Sequence, residues 1–131
     1  MKVFIVEDAP QTRQELAELF AAVEGLEVVG HAGSVREAIA GIEATAPQAV
    51  TLDISLPDGS GIEVLKHIHK HGWNVFVVVL TGNLYEALQA KCQQLGAAAV
   101  LDKLNGLAPA AALLAGRLGS SEKPLEKYLP L

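Results

Sequence analysis

Cysteine is nearly missing from this sequence. Cys92 is its one thiol in 131 residues, which leaves no internal disulfide and suits a reducing compartment. Long apolar runs are missing too: stretches such as "VFVVVL" at 75–80 fall well short of the roughly 20 residues that a membrane-spanning helix needs. Basic clusters are also lacking. With 10 Lys and Arg against 15 Asp and Glu the formal net charge is −5, so the chain carries no footprint for gripping a phosphate backbone. The first residues, "MKVFIVED", run straight into a strand pattern and meet acids, unlike a secretory leader. The expectation is a soluble cytoplasmic domain that touches neither membrane nor, by itself, nucleic acid.

What is present is a globular composition, 50% hydrophobic and 19% charged, at a length that suits one domain with a real core. Short runs rich in Val, Ile and Leu recur at 2–8, 27–32, 49–53, 74–81 and 98–102, and three of them show little polar alternation, as strands covered on both faces do. Segments of helical period separate them. In 10–24, Leu16, Leu19, Phe20 and Val23 share one stripe, and Gly25 is a natural stop. In 34–45, Ser34 stands three residues before Glu37, a capping-box spacing, with Ala38, Ile39 and Ile42 turned inward. Segment 61–71 turns Ile62, Leu65 and Ile68 inward before Gly72, and 84–95 does the same with Leu84, Leu88 and Leu95 before Gly96. The last, 106–118, is Ala-rich with Leu107, Leu113, Leu114 and Leu118.

Strict alternation of five strands and five helices, joined by right-handed crossovers, predicts an α/β fold with a mainly parallel sheet covered on both faces. The leading candidate is the doubly wound, flavodoxin-like order 2-1-3-4-5. The domain is expected over 1–118, with 119–131 ("GSSEKPLEKYLPL") as a tail or linker stub.

In such sheets ligands sit outside the carboxyl ends of the strands. There the sequence "VTLDISLPDGSG" (50–61) ends an apolar strand on Asp53 and then loosens the backbone with Pro57, Gly59 and Gly61. The first strand ends in Glu7 and Asp8, the fourth in Thr81, the fifth in Asp102 and Lys103. Three carboxylates brought together repel one another and raise their own pKa values unless a positive charge sits among them. Oxygen ligands in small number suit Mg²⁺. A metal, a carboxylate, an ammonium and a hydroxyl around one small volume suit a phosphoryl group in transfer, with Asp53 as nucleophile. The backbone carbonyl of Ser55 is a further candidate metal ligand.

These residues resemble the receiver domain of bacterial two-component response regulators over nearly all of 1–118. The features that carry the resemblance are Glu7-Asp8 after an apolar strand, Asp53 before "ISLPDGSGIEVL", Thr81-Gly82 after "VFVVVL", and Lys103 after "GAAAVLD". The resemblance implies that Asp8 and Asp53 bind Mg²⁺ directly and Glu7 through water. It implies that Asp53 takes phosphate from a phosphohistidine of a sensor histidine kinase or phosphotransfer protein. Lys103 would pair with the phosphoryl oxygens, Thr81 would hydrogen-bond one of them, and Gly82 would keep the site accessible. Output would run through the 84–118 surface (fourth helix, fifth strand, fifth helix), with a homodimer on phosphorylation among the candidate assemblies. The domain would either stand alone, acting through protein contacts, or form the receiver part of a longer regulator that reaches DNA only through a domain outside this chain.

Two positions depart from the family pattern. Val100 stands where an aromatic residue often takes part in the switch, leaving Tyr85 as the nearest substitute, and Leu104 replaces the usual proline after Lys103. A non-proline cis bond would cost about 2.5–4 kcal/mol, so a trans bond is expected there. Asp102 is a candidate competitor for the Lys103 ammonium. A haloacid-dehalogenase-like phosphatase is the alternative function, but it wants a second acid two residues after the nucleophile, where this chain has Ser55. A pseudo-receiver binding module is a third reading. His67 and His71 share a helical face without a completing ligand, and they are read as exposed side chains at a helix end. Cys92 is read as a small apolar residue and Trp73 as a packing cap.

Overall fold

Local chemistry accounts for where most elements start and stop. The computed structural model describes residues 1–120, so the expected tail lies outside the described residues from 121 onward. In chain order the elements are β1 (Lys2–Val6), α1 (Pro10–Ala21), β2 (Glu27–Ala32), α2 (Val35–Thr45), β3 (Ala49–Asp53), β4 (Ser55–Leu56), β5 (Gly59–Ser60), α3 (Gly61–Lys70), β6 (Phe76–Thr81), α4 (Glu86–Gln94), β7 (Ala99–Asp102) and α5 (Leu107–Ser120). Pro10 opens α1 at a position where its missing N–H matters least. Ser34 caps α2 by accepting from the Glu37 N–H at 3.1 Å. Ser60 and Glu63 cap α3 reciprocally: Ser60 Oγ accepts from Ile62 N–H at 3.1 Å, and Glu63 Oε2 accepts from Ser60 N–H at 3.2 Å. Gly72 closes α3 with a left-handed φ of +64°.

Five strands form one parallel sheet in the order β2-β1-β3-β6-β7, which is the expected 2-1-3-4-5 arrangement. Side chains alternate cleanly across it. Phe4, Val6, Val50, Leu52, Val77 and Val79 face one cluster with α2, α3 and α4, whose Ile42, Leu65, Ile68, Leu88 and Cys92 complete it. Val3, Ile5, Ala49, Val78 and Leu80 face the other, with Leu16 and Phe20 of α1 and Leu114 of α5. Cys92 is fully buried in the first cluster, as a small apolar residue would be, and Trp73 packs partly buried against its edge.

Phe4 fits because two glycines give it room. A Cβ at Gly30 would lie 2.8 Å from its Cε2, and one at Gly41 would lie 2.5 Å from its Cζ. The ring therefore sits between β2 and α2 and fixes their separation.

Three expectations change. The segment after Leu56 is not only a loop: β4 and β5 pair antiparallel, Ser55 against Ser60 and Leu56 against Gly59, around Pro57-Asp58. The fourth helix starts at Glu86, not at 84, so Leu84 stays 39% exposed instead of joining the core. The cause is the exit from β6, where Asn83 N–H donates to Thr81 Oγ1 at 3.2 Å and holds the next residues out of helix. Finally, α5 runs to Ser120, past the expected boundary at 118.

Candidate functional site

Strand order reverses between β1 and β3, and their carboxyl ends open on a crevice. Glu7 follows β1 directly. Its N–H donates to Ala32 O at 2.9 Å, which extends the pairing with β2 by one residue and directs Glu7 into the rim rather than into solvent. Asp53 is the last residue of β3, and Asp8 follows Glu7. Carboxylate oxygens of Glu7, Asp8 and Asp53 all lie within 4.8 Å of one another, and this is the one such group of metal-capable side chains among the described residues. Glu7 is 1% exposed and Asp53 3%, whereas Asp8 faces solvent.

Lys103 reaches the same point from the end of β7. Its Nζ donates to Asp53 Oδ2 at 3.0 Å and to Glu7 Oε2 at 3.0 Å, and it lies 2.8 Å from Glu7 Oε1. The backbone aims it there: Lys103 N–H donates to Thr81 O at 2.9 Å, continuing the β6–β7 pairing. The peptide bonds here are trans, as expected where Leu104 takes the place of proline. Asp102 does not compete for the ammonium. Its Oδ1 instead accepts from Leu104 N–H at 2.8 Å and turns the chain away.

The remaining bonds hold the carboxylates in place. Ala9 N–H donates to Glu7 Oε2 at 3.0 Å, and Ser55 N–H donates to Asp53 Oδ1 at 3.2 Å. Thr81, 3% exposed, ends β6 beside them, and Gly82 borders open space, with nothing within 4 Å of where a Cβ would stand. Gly61 closes the loop from behind: its N–H donates to Ile54 O at 2.7 Å, and a Cβ there would lie 2.1 Å from Asp53 O.

Burial raises the Glu7 carboxyl above its ordinary 4.5, with the Asp53 charge adding to the rise, while the bonds from Lys103 and Ala9 pull against it. Burial alone would lower the Lys103 pKa, but its bonds to Glu7 and Asp53 outweigh that and leave it above 10.5. Three carboxylates thus face one ammonium. Glu7 Oε1 is buried and, despite the nearby charge of Lys103, takes no hydrogen bond of good geometry. An excess of hard anionic oxygen with one acceptor unfilled fits a small divalent cation such as Mg²⁺.

The structure therefore brings together Glu7, Asp8, Asp53, Thr81, Gly82 and Lys103, with Ser55 at the mouth of the loop. It places Val100 7% exposed in the core beneath, and Tyr85 53% exposed on the surface. His67 of α3, half-buried rather than exposed as expected, stacks on the exposed His71, the residue that caps the helix, at 4.0 Å between ring centroids, near Trp73 and outside the acidic group. One participant was not foreseen from sequence. Asp58, at the tip of the β4–β5 hairpin, accepts from the N–H groups of Val35 at 2.7 Å and Arg36 at 3.1 Å. "PDG" reads as a turn, and only the tertiary fold shows which helix end its carboxylate meets.

Known proteins agree with this geometry. The family model described as the response regulator receiver domain matches residues 3–110. The DNA-binding transcriptional activator DevR/DosR of Mycobacterium tuberculosis is 41% identical over 81 residues, covering 62% of this chain and 37% of that protein. Response regulator UvrY of Escherichia coli O6:H1 is 31% identical over 109 residues, covering 83% of this chain and 49% of its own. This chain thus spans half or less of the length of these curated relatives. Among solved structures, a two-component response regulator of the LuxR family from Aurantimonas superposes with a TM-score of 0.82 at 25% identity, covering 91% of this chain and 85% of that one. The CheX-CheY-BeF3-Mg complex from Borrelia burgdorferi gives 0.79 at 27% identity, covering 89% and 87%. No helix among the described residues is long and apolar enough to cross a membrane. An acidic crevice at the switch in strand order, closed by a lysine from the last strand, and a family match across most of the length together place this chain among the receiver domains of two-component response regulators.

Proposed function

We propose that this receiver domain, residues 1–118, is a cytoplasmic switch phosphorylated on Asp53 by a sensor histidine kinase or a phosphotransfer protein. The observation that carries the reading is a nearly buried carboxylate, Asp53, held at 3.0 Å by Lys103 with Glu7 and Asp8 beside it. A carboxylate oxygen of Asp53 attacks phosphorus, the P–N bond to the donor imidazole breaks, and that nitrogen keeps the electron pair and later takes a proton. The product is an acyl phosphate. Glu7, Asp8, Asp53 and the Ser55 carbonyl would hold Mg²⁺, which neutralises charge on the phosphoryl oxygens when bound. Lys103 Nζ is already within bonding distance of the acceptor and needs only a small shift to meet a new phosphoryl oxygen. Thr81 offers a hydroxyl at the next strand end, and the open space at Gly82 leaves room for a donor's side chain.

The domain promotes only its own phosphorylation and dephosphorylation. Ser55, at the position where a dehalogenase-like phosphatase needs an acid, supplies no proton donor of that strength, so turnover of phosphate esters is not expected. DNA binding, named for the longer relative DevR/DosR, would come from a domain outside this chain, with 119–131 as the tail or linker stub leading to it. Phosphorylation by acetyl phosphate in Mg²⁺ tests the reading. Intact mass should rise by one phosphoryl group in the parent and not in Asp53→Asn. Equal labelling of that variant rejects Asp53 as the acceptor, and absence of labelling in the parent rejects the switch.

A further inference from the structure

Two independent groups cap the same helix end. Ser34 caps α2 locally through the Glu37 N–H, while Asp58 caps it from a distance through Val35 and Arg36, one carboxylate oxygen to each N–H. Only the second link reaches the phosphoacceptor loop. Asp58 sits at the tip of the β4–β5 hairpin, and Ser55 sits at its base, two residues after Asp53. A two-strand hairpin with two residues per strand does not hold itself in water. Here its base is closed by the Gly61 N–H, which donates to Ile54 O at 2.7 Å, and its tip is fixed by Asp58. The anchor for that tip is itself rigid, because α2 packs through Ala38 and Ile42 and closes over Phe4 at Gly41. Favourable charge at a helix N-terminus strengthens the attachment.

We infer that Asp58 is a positioning residue that ties the cation-binding loop to α2 and so holds the Ser55 carbonyl where a divalent cation can use it. The inference rests on the proposed Mg²⁺ site, but its mechanical half does not. Asp58→Ala removes the tie, while Ser34→Ala weakens the same helix end and leaves the loop attached. Asp58→Asn keeps one acceptor but turns an amide NH₂ toward a backbone N–H, and so breaks half of the clamp.

The experiment compares Ser34→Ala, Asp58→Asn and Asp58→Ala with the parent in two readouts. The first is hydrogen exchange of amides 54–60 without divalent cation. Exchange should accelerate about tenfold in Asp58→Ala, less in Asp58→Asn and not in Ser34→Ala. The second is Mg²⁺ titration followed through the amide resonances of 53–56. Affinity should fall roughly tenfold in Asp58→Ala, the lower end for losing an outer support of a metal site, and stay at the parent value in Ser34→Ala. Unchanged exchange at 54–60 in Asp58→Ala overturns the tie. Accelerated exchange with unchanged Mg²⁺ affinity overturns the positioning role. Equal losses in Ser34→Ala and Asp58→Ala reduce both residues to ordinary helix caps and overturn the inference as well. If the parent does not respond to Mg²⁺ at all, the metal reading fails, and the exchange data still decide whether Asp58 holds the loop.

Discussion

Lys103 decides the charge balance of the rim. With its ammonium in place, Glu7 and Asp53 are paired; in Lys103→Met they are buried anions facing each other. In chelator-treated buffer near neutral pH that variant should be less stable by about 3 kcal/mol in urea unfolding, because a buried charge loses its partner. The sign of its pH dependence follows from the shifts. Glu7 titrates above 4.5 in the folded protein, so the folded state binds more protons than the unfolded one just above that value, and this group's contribution falls as pH rises. Without Lys103 the strongest lowering influence on Glu7 is gone and its window widens upward, so the deficit should shrink as pH is lowered toward 4.5. Lys103 itself, raised above 10.5 by Glu7 and Asp53, keeps its charge throughout this range and loses it only above that value, so the pH dependence between 4.5 and 8 comes from its carboxylate partners. A deficit independent of pH between 4.5 and 8 would show that packing, not charge, explains the loss. Thr51 makes the opposite case. Its hydroxyl is buried in β3 and has no hydrogen-bond partner. Thr51→Val should therefore gain about 1 kcal/mol, and a loss in the same assay would mean the hydroxyl is satisfied after all.

At the scale of elements, the junction between β3 and α3 leaves no room for a side chain at Gly61. A Cβ on Gly61 would meet backbone atoms of Asp53 and Ile54, which cannot move without shifting Asp53, the proposed acceptor. Gly61→Ala should cost about 3 kcal/mol or more, while Gly82→Ala, bordering open space, should stay within about 0.5 kcal/mol. Thermal unfolding of the two variants side by side checks this, and similar midpoints would contradict it. In the sequence Gly61 reads as a residue that loosens the backbone after Asp53, and Gly82 as the small residue that keeps the site accessible. What separates them is the approach of a neighbouring backbone, which no local pattern encodes. The same limit explains the other differences. Strand runs and the Ser34 cap were legible because periodicity and capping are local. The late start of α4 was not, because apolar Leu84 fits a helical stripe while the Thr81–Asn83 bond keeps it outside one. The slot that Gly30 and Gly41 leave for Phe4 joins three elements distant in sequence, and it becomes visible only once they pack.

For the molecule as a whole, the question is how an event at Asp53 reaches a surface. Glu7, Asp8, Asp53, Thr81 and Lys103 could be named from sequence because each closes an apolar run, and the strand order then brings those ends to one rim. The transmission path could not be read the same way, and the structure narrows it. Val100 is packed in the core and offers no aromatic ring to swing, and Tyr85 already stands in solvent. Two links join the rim to the exposed side chains Leu84, Tyr85 and Leu104, one a hydrogen bond and one the chain itself. Thr81 Oγ1 accepts from Asn83 N–H at the start of the β6–α4 connection, and Lys103 precedes Leu104, which is 86% exposed. A phosphoryl group on Asp53 would draw the Thr81 hydroxyl and the Lys103 ammonium toward itself, releasing Asn83 and shifting an equilibrium between two loop arrangements. Amide resonances should then move most at 82–86 and 103–107 on phosphorylation and little in β2 or α2. Thr81→Ala should still take phosphate but lose the 82–86 response, because the hydroxyl that couples the two is gone. Full-sized shifts at 82–86 in that variant would show that the signal travels by another route, and shifts spread evenly over all five helices would show that no loop is singled out.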